Sequence, residues 1–230
     1  VNRVHRAALA RRLATPEHAV VHRAAALLLE YPTPELLDLL PTVRAALTGV
    51  RPALAAPLLR AADHLASVPL PRLAADYVAT FDLRRRCSLY LTYYAYGDTR
   101  RRGVALVEVK QAYQGAGFEL AGDELPDHLA VVLELAGTGD AEGRAAGIGL
   151  LLAHRAGLEL LRLALLDAGS PWADVLVAVS ATLPDLGDDD RAAVAKLAAE
   201  GPPDEEVGLD PYTSPRTASA PPTAAMGAAR

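Results

Sequence analysis

The chain has 230 residues and a mass of 24.2 kDa, with 51% hydrophobic and 22% charged residues. That is enough for one large domain burying roughly 70% of its unfolded surface, and it excludes both wholesale disorder and a membrane-embedded protein. Cys87 is the one cysteine, so an internal disulfide framework and a cysteine-ligated cluster are excluded, and a reducing compartment, the cytoplasm, is expected. The net charge of −5 is unevenly divided: residues 1–115 carry sixteen Lys and Arg against nine Asp and Glu, whereas residues 116–230 carry seven against nineteen.

From the N-terminus, residues 1–14 form a basic leader. Its Arg11-Arg12 pair lacks the apolar stretch and small-residue cleavage site of an export signal. Thr15-Pro16-Glu17 then reads as a helix N-cap with proline at the first helical position, followed by Val20, Ala24, Leu27 and Leu28 on one face. Thr33-Pro34-Glu35 repeats the signal for a helix that Pro41 should kink or stop, and further helices are expected over 52–67 and 72–80. Ser88 should cap a short tyrosine-rich helix ending at Gly97, and Asp98 a longer one running to Gly115 or Gly117.

Pro126 should begin a helix that stops near Gly137. Residues 140–168 form a leucine-rich stretch with a break expected near Gly157, Ser170-Pro171 caps the next helix, and an amphipathic segment covers 188–199. Only Val104–Val109 and Val175–Val179 compete as strands, and each lies within a capped helical window. The expected fold is therefore all-α: a single-domain bundle of about ten helices over residues 15–200, with a Pro- and Ala-rich, disordered tail over 201–230.

The catalytic inventory is thin. There is no nucleophile elbow, phosphate-binding glycine loop or His-Glu-x-x-His zinc motif. His18 and His22 share a helix face without a third ligand nearby, so they read as a solvated or capping pair rather than a metal site, and Cys87 reads as a small packed residue. No enzymatic activity is expected, and no metal.

The unusual part is the centre. Tyr77, Phe81, Tyr90, Tyr93, Tyr94, Tyr96 and Tyr113 crowd into a chain that is only 5% aromatic, interleaved with Arg84-Arg85-Arg86 and Arg100-Arg101-Arg102. Such a mixture suits either single-stranded nucleic acid or a groove for an amphipathic peptide helix. The acidic second half would repel a polyanion, leaving a nucleic-acid-binding helical regulator as the weaker alternative. Glu124, Pro126, Asp127 and His128 form a second cluster, in which the carboxylates suit a helix N-terminus and His128 is expected to gain a carboxylate partner and titrate near neutral pH.

These two stretches carry a family resemblance. Tyr77-Val-Ala-Thr-Phe81-Asp82, Arg85-Arg-Cys-Ser88-Leu-Tyr90-Leu-Thr-Tyr93-Tyr94, Gly97-Asp98-Thr99-Arg100-Arg-Arg-Gly103 and Glu124-Leu-Pro-Asp127-His128-Leu resemble the NarJ family of nitrate reductase assembly chaperones, more distantly related to the TorD and DmsD chaperones. Flanking matches extend the resemblance over most of residues 16–185. It implies an all-α cytoplasmic protein, absent from the finished enzyme, that binds the N-terminal peptide of the catalytic subunit. It would hold the apo-enzyme complex competent for insertion of molybdopterin cofactor and an iron–sulfur cluster before membrane attachment.

No permanently bound cofactor is implied, and the partners would be the catalytic subunit and molybdenum cofactor biosynthesis proteins, with no nucleic acid and no membrane insertion. A sister molybdoenzyme or a twin-arginine signal peptide is the alternative client, and the protein would be a monomer or dimer. In the relatives a proline, aspartate and histidine are associated with peptide recognition; Pro126, Asp127 and His128 match them. Tyr90, Tyr93 and Tyr94, with Tyr77 and Phe81, would line the groove, Glu124 and Asp127 would attract basic client residues, and Arg100, Arg101 and Arg102 would contact an anion or the client's acidic surface.

Overall fold

A computed structural model describes residues 3–120, 124–201 and 203. The tail from 204 onward, expected to be disordered, lies outside the described residues. Among the described residues there are twelve α-helices and no strand. The two valine runs that competed as strands lie within helices.

The first helix, α1 (Arg3–Leu13), covers most of the basic leader and packs on α9 (Ala141–Ala153) with Ala10 buried and Arg11 paired to Glu142 at 3.1 Å. Next come α2 (Pro16–Leu28) and α3 (Pro34–Leu47), each opened as read from sequence. The Thr15 hydroxyl accepts from the His18 amide at 3.1 Å and the Thr33 hydroxyl from the Leu36 amide at 3.2 Å. Pro41 neither stops nor ends α3; it lies on the exposed side, where the carbonyl that it leaves unpaired one turn earlier can turn to water. After α4 (Pro52–Ser67) and α5 (Leu70–Tyr77) the chain widens into one π turn, Val78–Asp82, and a 3₁₀ turn, Arg85–Cys87.

The remaining elements are α6 (Leu91–Tyr96), α7 (Arg100–Gly115), α8 (Leu129–Gly137), α9, α10 (Arg155–Asp167), α11 (Ala173–Ala181) and α12 (Asp188–Glu200). Several expected boundaries move. Ser88 does not cap α6, which begins after Tyr90. Thr99, not Asp98, precedes α7, and its hydroxyl donates back to the Tyr96 carbonyl at 2.8 Å. The break in the leucine-rich stretch falls at His154 rather than Gly157. Ser170 gives only its carbonyl, to the Ala173 amide at 3.0 Å, so Trp172 stands at the start of α11.

The core is built where α2 lies along α8 and α11, with α4 packed against both α11 and α2 and α9 packed against α8. Val21, Ala25 and Leu28 of α2 meet Leu129 and Leu133 of α8 and Val175, Leu176 and Val179 of α11, all fully buried. Small residues let these helices approach closely, and the leucines fill the space between them.

His18 and His22 are buried rather than solvated. His18 Nδ1 lies 2.9 Å from the Leu13 carbonyl. His22 Nε2 lies 2.8 Å from the Thr182 hydroxyl, which is also 2.7 Å from the Val179 carbonyl, and Nδ1 lies 3.4 Å from the Ala136 carbonyl. Burial depresses His22 to about 4, outweighing the nearby Ala136 carbonyl. The proton therefore enters on unfolding, and stability should fall as pH drops from about 6.5 towards 4, by about 3 kcal/mol at the limit. Urea titrations between pH 7 and 4.5 should show this slope, and His22→Gln should flatten it.

Candidate peptide-binding site

The two sequence clusters meet in space. Leu89–Leu91 and Asp127–Leu129 run antiparallel through a single bridge between Tyr90 and His128. The Leu91 amide donates to the Asp127 carbonyl at 3.0 Å and the Leu129 amide to the Leu89 carbonyl at 2.8 Å. This pairing is why α8 starts at Leu129 and not at Pro126, as the sequence suggested: residues 125–128 form a turn, closed by the His128 amide on the Leu125 carbonyl at 3.0 Å.

Asp127 is the hub. It is 1% exposed, and its Oδ2 accepts from the Thr92 amide at 3.1 Å and from the Thr92 hydroxyl. That hydroxyl in turn accepts from Arg102 Nε at 3.2 Å, while Arg102 Nη2 stands 3.7 Å from the same carboxylate. Arg102 also pairs with Asp98 at 3.2 Å and lies over the Tyr90 ring, 5.2 Å from its centroid. Tyr90 donates its hydroxyl to Glu124 at 3.2 Å and meets the edge of His128 at 5.3 Å, and the Tyr113 hydroxyl donates to the Pro126 carbonyl at 3.1 Å.

Several expected roles change as a result. Asp127 faces the interior, so its charge serves Thr92 and Arg102 and is withheld from a client's basic residues. Arg102 is likewise turned inward, whereas Arg100 and Arg101 are exposed. Burial holds His128 below the ordinary imidazole range, with Glu124 and Asp127 opposing it, so the expected titration near neutral pH is replaced by a neutral ring. Glu124 remains exposed and Pro126 half-buried.

The rings divide into core and surface. Tyr77 and Phe81 are buried against Trp172, with centroids 5.6 and 5.4 Å from its ring, and the Tyr77 hydroxyl donates to the Leu29 carbonyl at 2.9 Å. Tyr94 is buried too, its hydroxyl 2.9 Å from the Ser88 carbonyl. Tyr77 and Phe81, expected to line the groove, instead lie in the core, whereas Tyr94, though largely buried, lines the groove with Tyr93; Tyr90 and Tyr93 stay partly exposed. Cys87 is buried, and burial raises its thiol despite Arg84 and Arg86. Among the described residues no group of His, Cys, Asp and Glu could hold a metal ion, and no helix is long and apolar enough to cross a membrane.

A groove of about 460 Å³ lies between α6, α10 and α12. Its floor is Tyr93, Leu160, Leu163 and Leu197, and Arg85 and Arg86 stand at its rim with Asp167. An adjoining concavity of about 470 Å³ shares Arg85, Arg86, Ala164 and Asp167, which lengthens the groove along α10. Leu163 and Leu166 are 44% and 47% exposed, so α10 carries leucine on a second face that the core does not use. That surplus is the signal in the sequence: Leu158, Leu160, Leu161, Leu163, Leu165 and Leu166 cover more of a helix than one buried stripe requires. Gly157 sets the approach of α10 to α6, because a Cβ there would meet the Tyr94 side chain at 2.8–3.0 Å.

Two substitutions test this construction. Asp127→Ala leaves the buried Thr92 amide without its acceptor and takes one anionic partner from the half-buried Arg102, and should destabilise the fold by about 2–4 kcal/mol in urea titration. Gly157→Ala should lower the thermal midpoint by pushing α10 off Tyr94, while Gly149→Ala on the neighbouring helix, where a Cβ meets nothing within 4 Å, should leave it unchanged or raise it.

Comparison with known proteins places these features in a family. Residues 45–178 match the nitrate reductase delta subunit family. The chain is 39% identical over 164 residues to the nitrate reductase-like protein NarX of Mycobacterium tuberculosis, covering 71% of this chain and 24% of the relative, so it spans about a quarter of that protein's length. It is 32% identical over 129 residues to the probable nitrate reductase molybdenum cofactor assembly chaperone NarJ of Bacillus subtilis, covering 56% of this chain and 70% of the relative. Over 60 residues it is 42% identical to the nitrate reductase molybdenum cofactor assembly chaperone NarJ of Escherichia coli, covering 26% of this chain and 25% of the relative. With the match running from α3 into α11 and through the whole Tyr90–Asp127 hub, the chain belongs to the nitrate reductase delta subunit family.

Proposed function

We propose that this chain is a chaperone for the assembly of a respiratory nitrate reductase. It binds the N-terminal peptide of the catalytic subunit and keeps the apo-enzyme competent to receive molybdenum cofactor and an iron–sulfur cluster before membrane attachment. It acts in the cytoplasm, through the helical unit over residues 15–200. The observation that carries this reading is the apolar groove between α6, α10 and α12, present in a chain whose relatives are named as molybdenum cofactor assembly chaperones.

The groove suits a helix with one apolar face. Tyr93, Leu160, Leu163 and Leu197 offer a floor for three or four anchors, each contributing about 1.5–3 kcal/mol on burial. Ordering a free peptide takes back several kcal/mol, leaving micromolar or tighter binding. The exposed Glu124 and the Tyr90 ring lie at the hub, where a basic residue of the peptide would find a carboxylate without displacing Asp127. The buried rings Tyr77, Phe81 and Tyr94 and the Asp127 network hold this surface in shape.

Calorimetric titration with a synthetic peptide covering the first fifteen or so residues of the nitrate reductase catalytic subunit from the same genome tests the reading. The native peptide should bind saturably and a scrambled peptide should not. Leu163→Asp and Tyr93→Ala, both at the surface, should each weaken binding at least tenfold with the fold intact by circular dichroism. Absence of saturable binding by the native peptide across pH 6–8, or full affinity in both variants, would overturn the assignment.

A further inference from the structure

The basic rim of the groove outnumbers its acid, since Asp167 is the one carboxylate among the described residues that line it. Arg84, Arg85 and Arg86 are exposed on the 3₁₀ turn and make no ion pair with any described residue, although Arg44, Arg51 and Arg60 all do. Three like charges thus follow one another in the chain, Arg85 and Arg86 on the groove with its apolar floor and Arg84 on the adjoining concavity. The complementary ligand is a short segment that is both acidic and apolar.

The chain carries such a segment where it leaves the groove. Gly201, at the end of α12, lines the groove, and the Pro203 carbonyl lies against Gly97 at the end of α6. A Cβ at Gly97 would overlap that carbonyl, and its φ of +58° also favours glycine, so the approach depends on this residue. The next residues are Asp204-Glu205-Glu206-Val207-Gly208-Leu209-Asp210-Pro211-Tyr212. Four carboxylates fall within these nine positions with Val207, Leu209 and Tyr212 between and beyond them, and residues 213–230 contain no Asp or Glu. Nine residues reach about 30 Å when extended, and the groove already includes Gly201.

We propose that residues 204–212 dock in the groove of their own chain, with the carboxylates on the Arg84–Arg86 rim and the apolar side chains on the Leu160 and Leu163 floor. Tethering at Pro203 supplies an effective concentration in the millimolar range, so weak intrinsic affinity suffices. Where the groove is also the client site, which rests on the function proposed above, the docked segment competes with the client peptide and lowers its apparent affinity by the fraction of chains that are closed.

Hydrogen–deuterium exchange on the full chain at low salt, without client, tests docking directly. Amides of 205–210 and of the Leu160–Asp167 stretch should exchange at least tenfold more slowly than in the full chain carrying Val207→Ser, Leu209→Ser and Tyr212→Ser. Arg85→Glu with Arg86→Glu should abolish the difference, and adding Glu205→Arg with Glu206→Arg should restore it. Exchange of 205–210 at the free-peptide rate in the unaltered chain, or protection indifferent to both sets of changes, overturns the proposal, as does protection that rises with protein concentration, which would place the segment on a second copy. Calorimetry then separates the two readings. Client binding at least threefold tighter in the serine variant supports competition; protection with unchanged client affinity keeps the docked segment and moves the client elsewhere. Client binding without any protection removes the docked segment alone.

Discussion

The buried carboxylate of Asp127 joins two segments thirty-five residues apart and fixes the surface built on them. One oxygen holds the Thr92 amide and hydroxyl at the start of α6, and the adjacent main-chain bridge holds Leu89–Leu91 against Asp127–Leu129. Compensation of this deep charge is one-sided: Oδ2 takes both Thr92 hydrogen bonds and lies 3.7 Å from Arg102 Nη2, whereas Oδ1 has no hydrogen-bond partner among the described residues. Arg102 then reaches outward over Tyr90 to Asp98, so the same network sets the position of the Tyr90 ring and the entry into α7.

A second constraint is the contact between α6 and α10. Gly157 admits the Tyr94 ring, and Tyr94 in turn anchors its hydroxyl on the turn that carries Arg84–Arg86. The apolar floor and the basic rim of the groove are therefore positioned by one buried ring. The second leucine face of α10 is left uncovered by α11, which takes the other side, and only partly covered by α12, none of whose residues is buried.

Much of the architecture could be read from the sequence because helix signals are local. Thr15-Pro16 and Thr33-Pro34 place hydroxyl, proline and first turn within four residues, and both caps form as read. The start of α8 was misread at Pro126 for the opposite reason. Proline is pre-set for a first turn, yet the Tyr90 bridge recruits the Asp127 carbonyl and the Leu129 amide, and no local pattern announces a partner so distant in sequence. The π turn after Tyr77 was also invisible: it turns Phe81 onto Trp172, ninety-one residues away in sequence.

The sequence by itself determined the all-α class, the helix caps, the unusual concentration of rings and arginines, and the family motif from Tyr77 to His128. Tertiary structure alone decided which of those rings face inward, that Asp127 is a structural charge and Arg102 its partner, and that the open apolar face lies on α10. The physical reason is the range of the interactions. Capping and helical period act within one or two turns, whereas burial of a ring or a carboxylate depends on which distant segment supplies its neighbours.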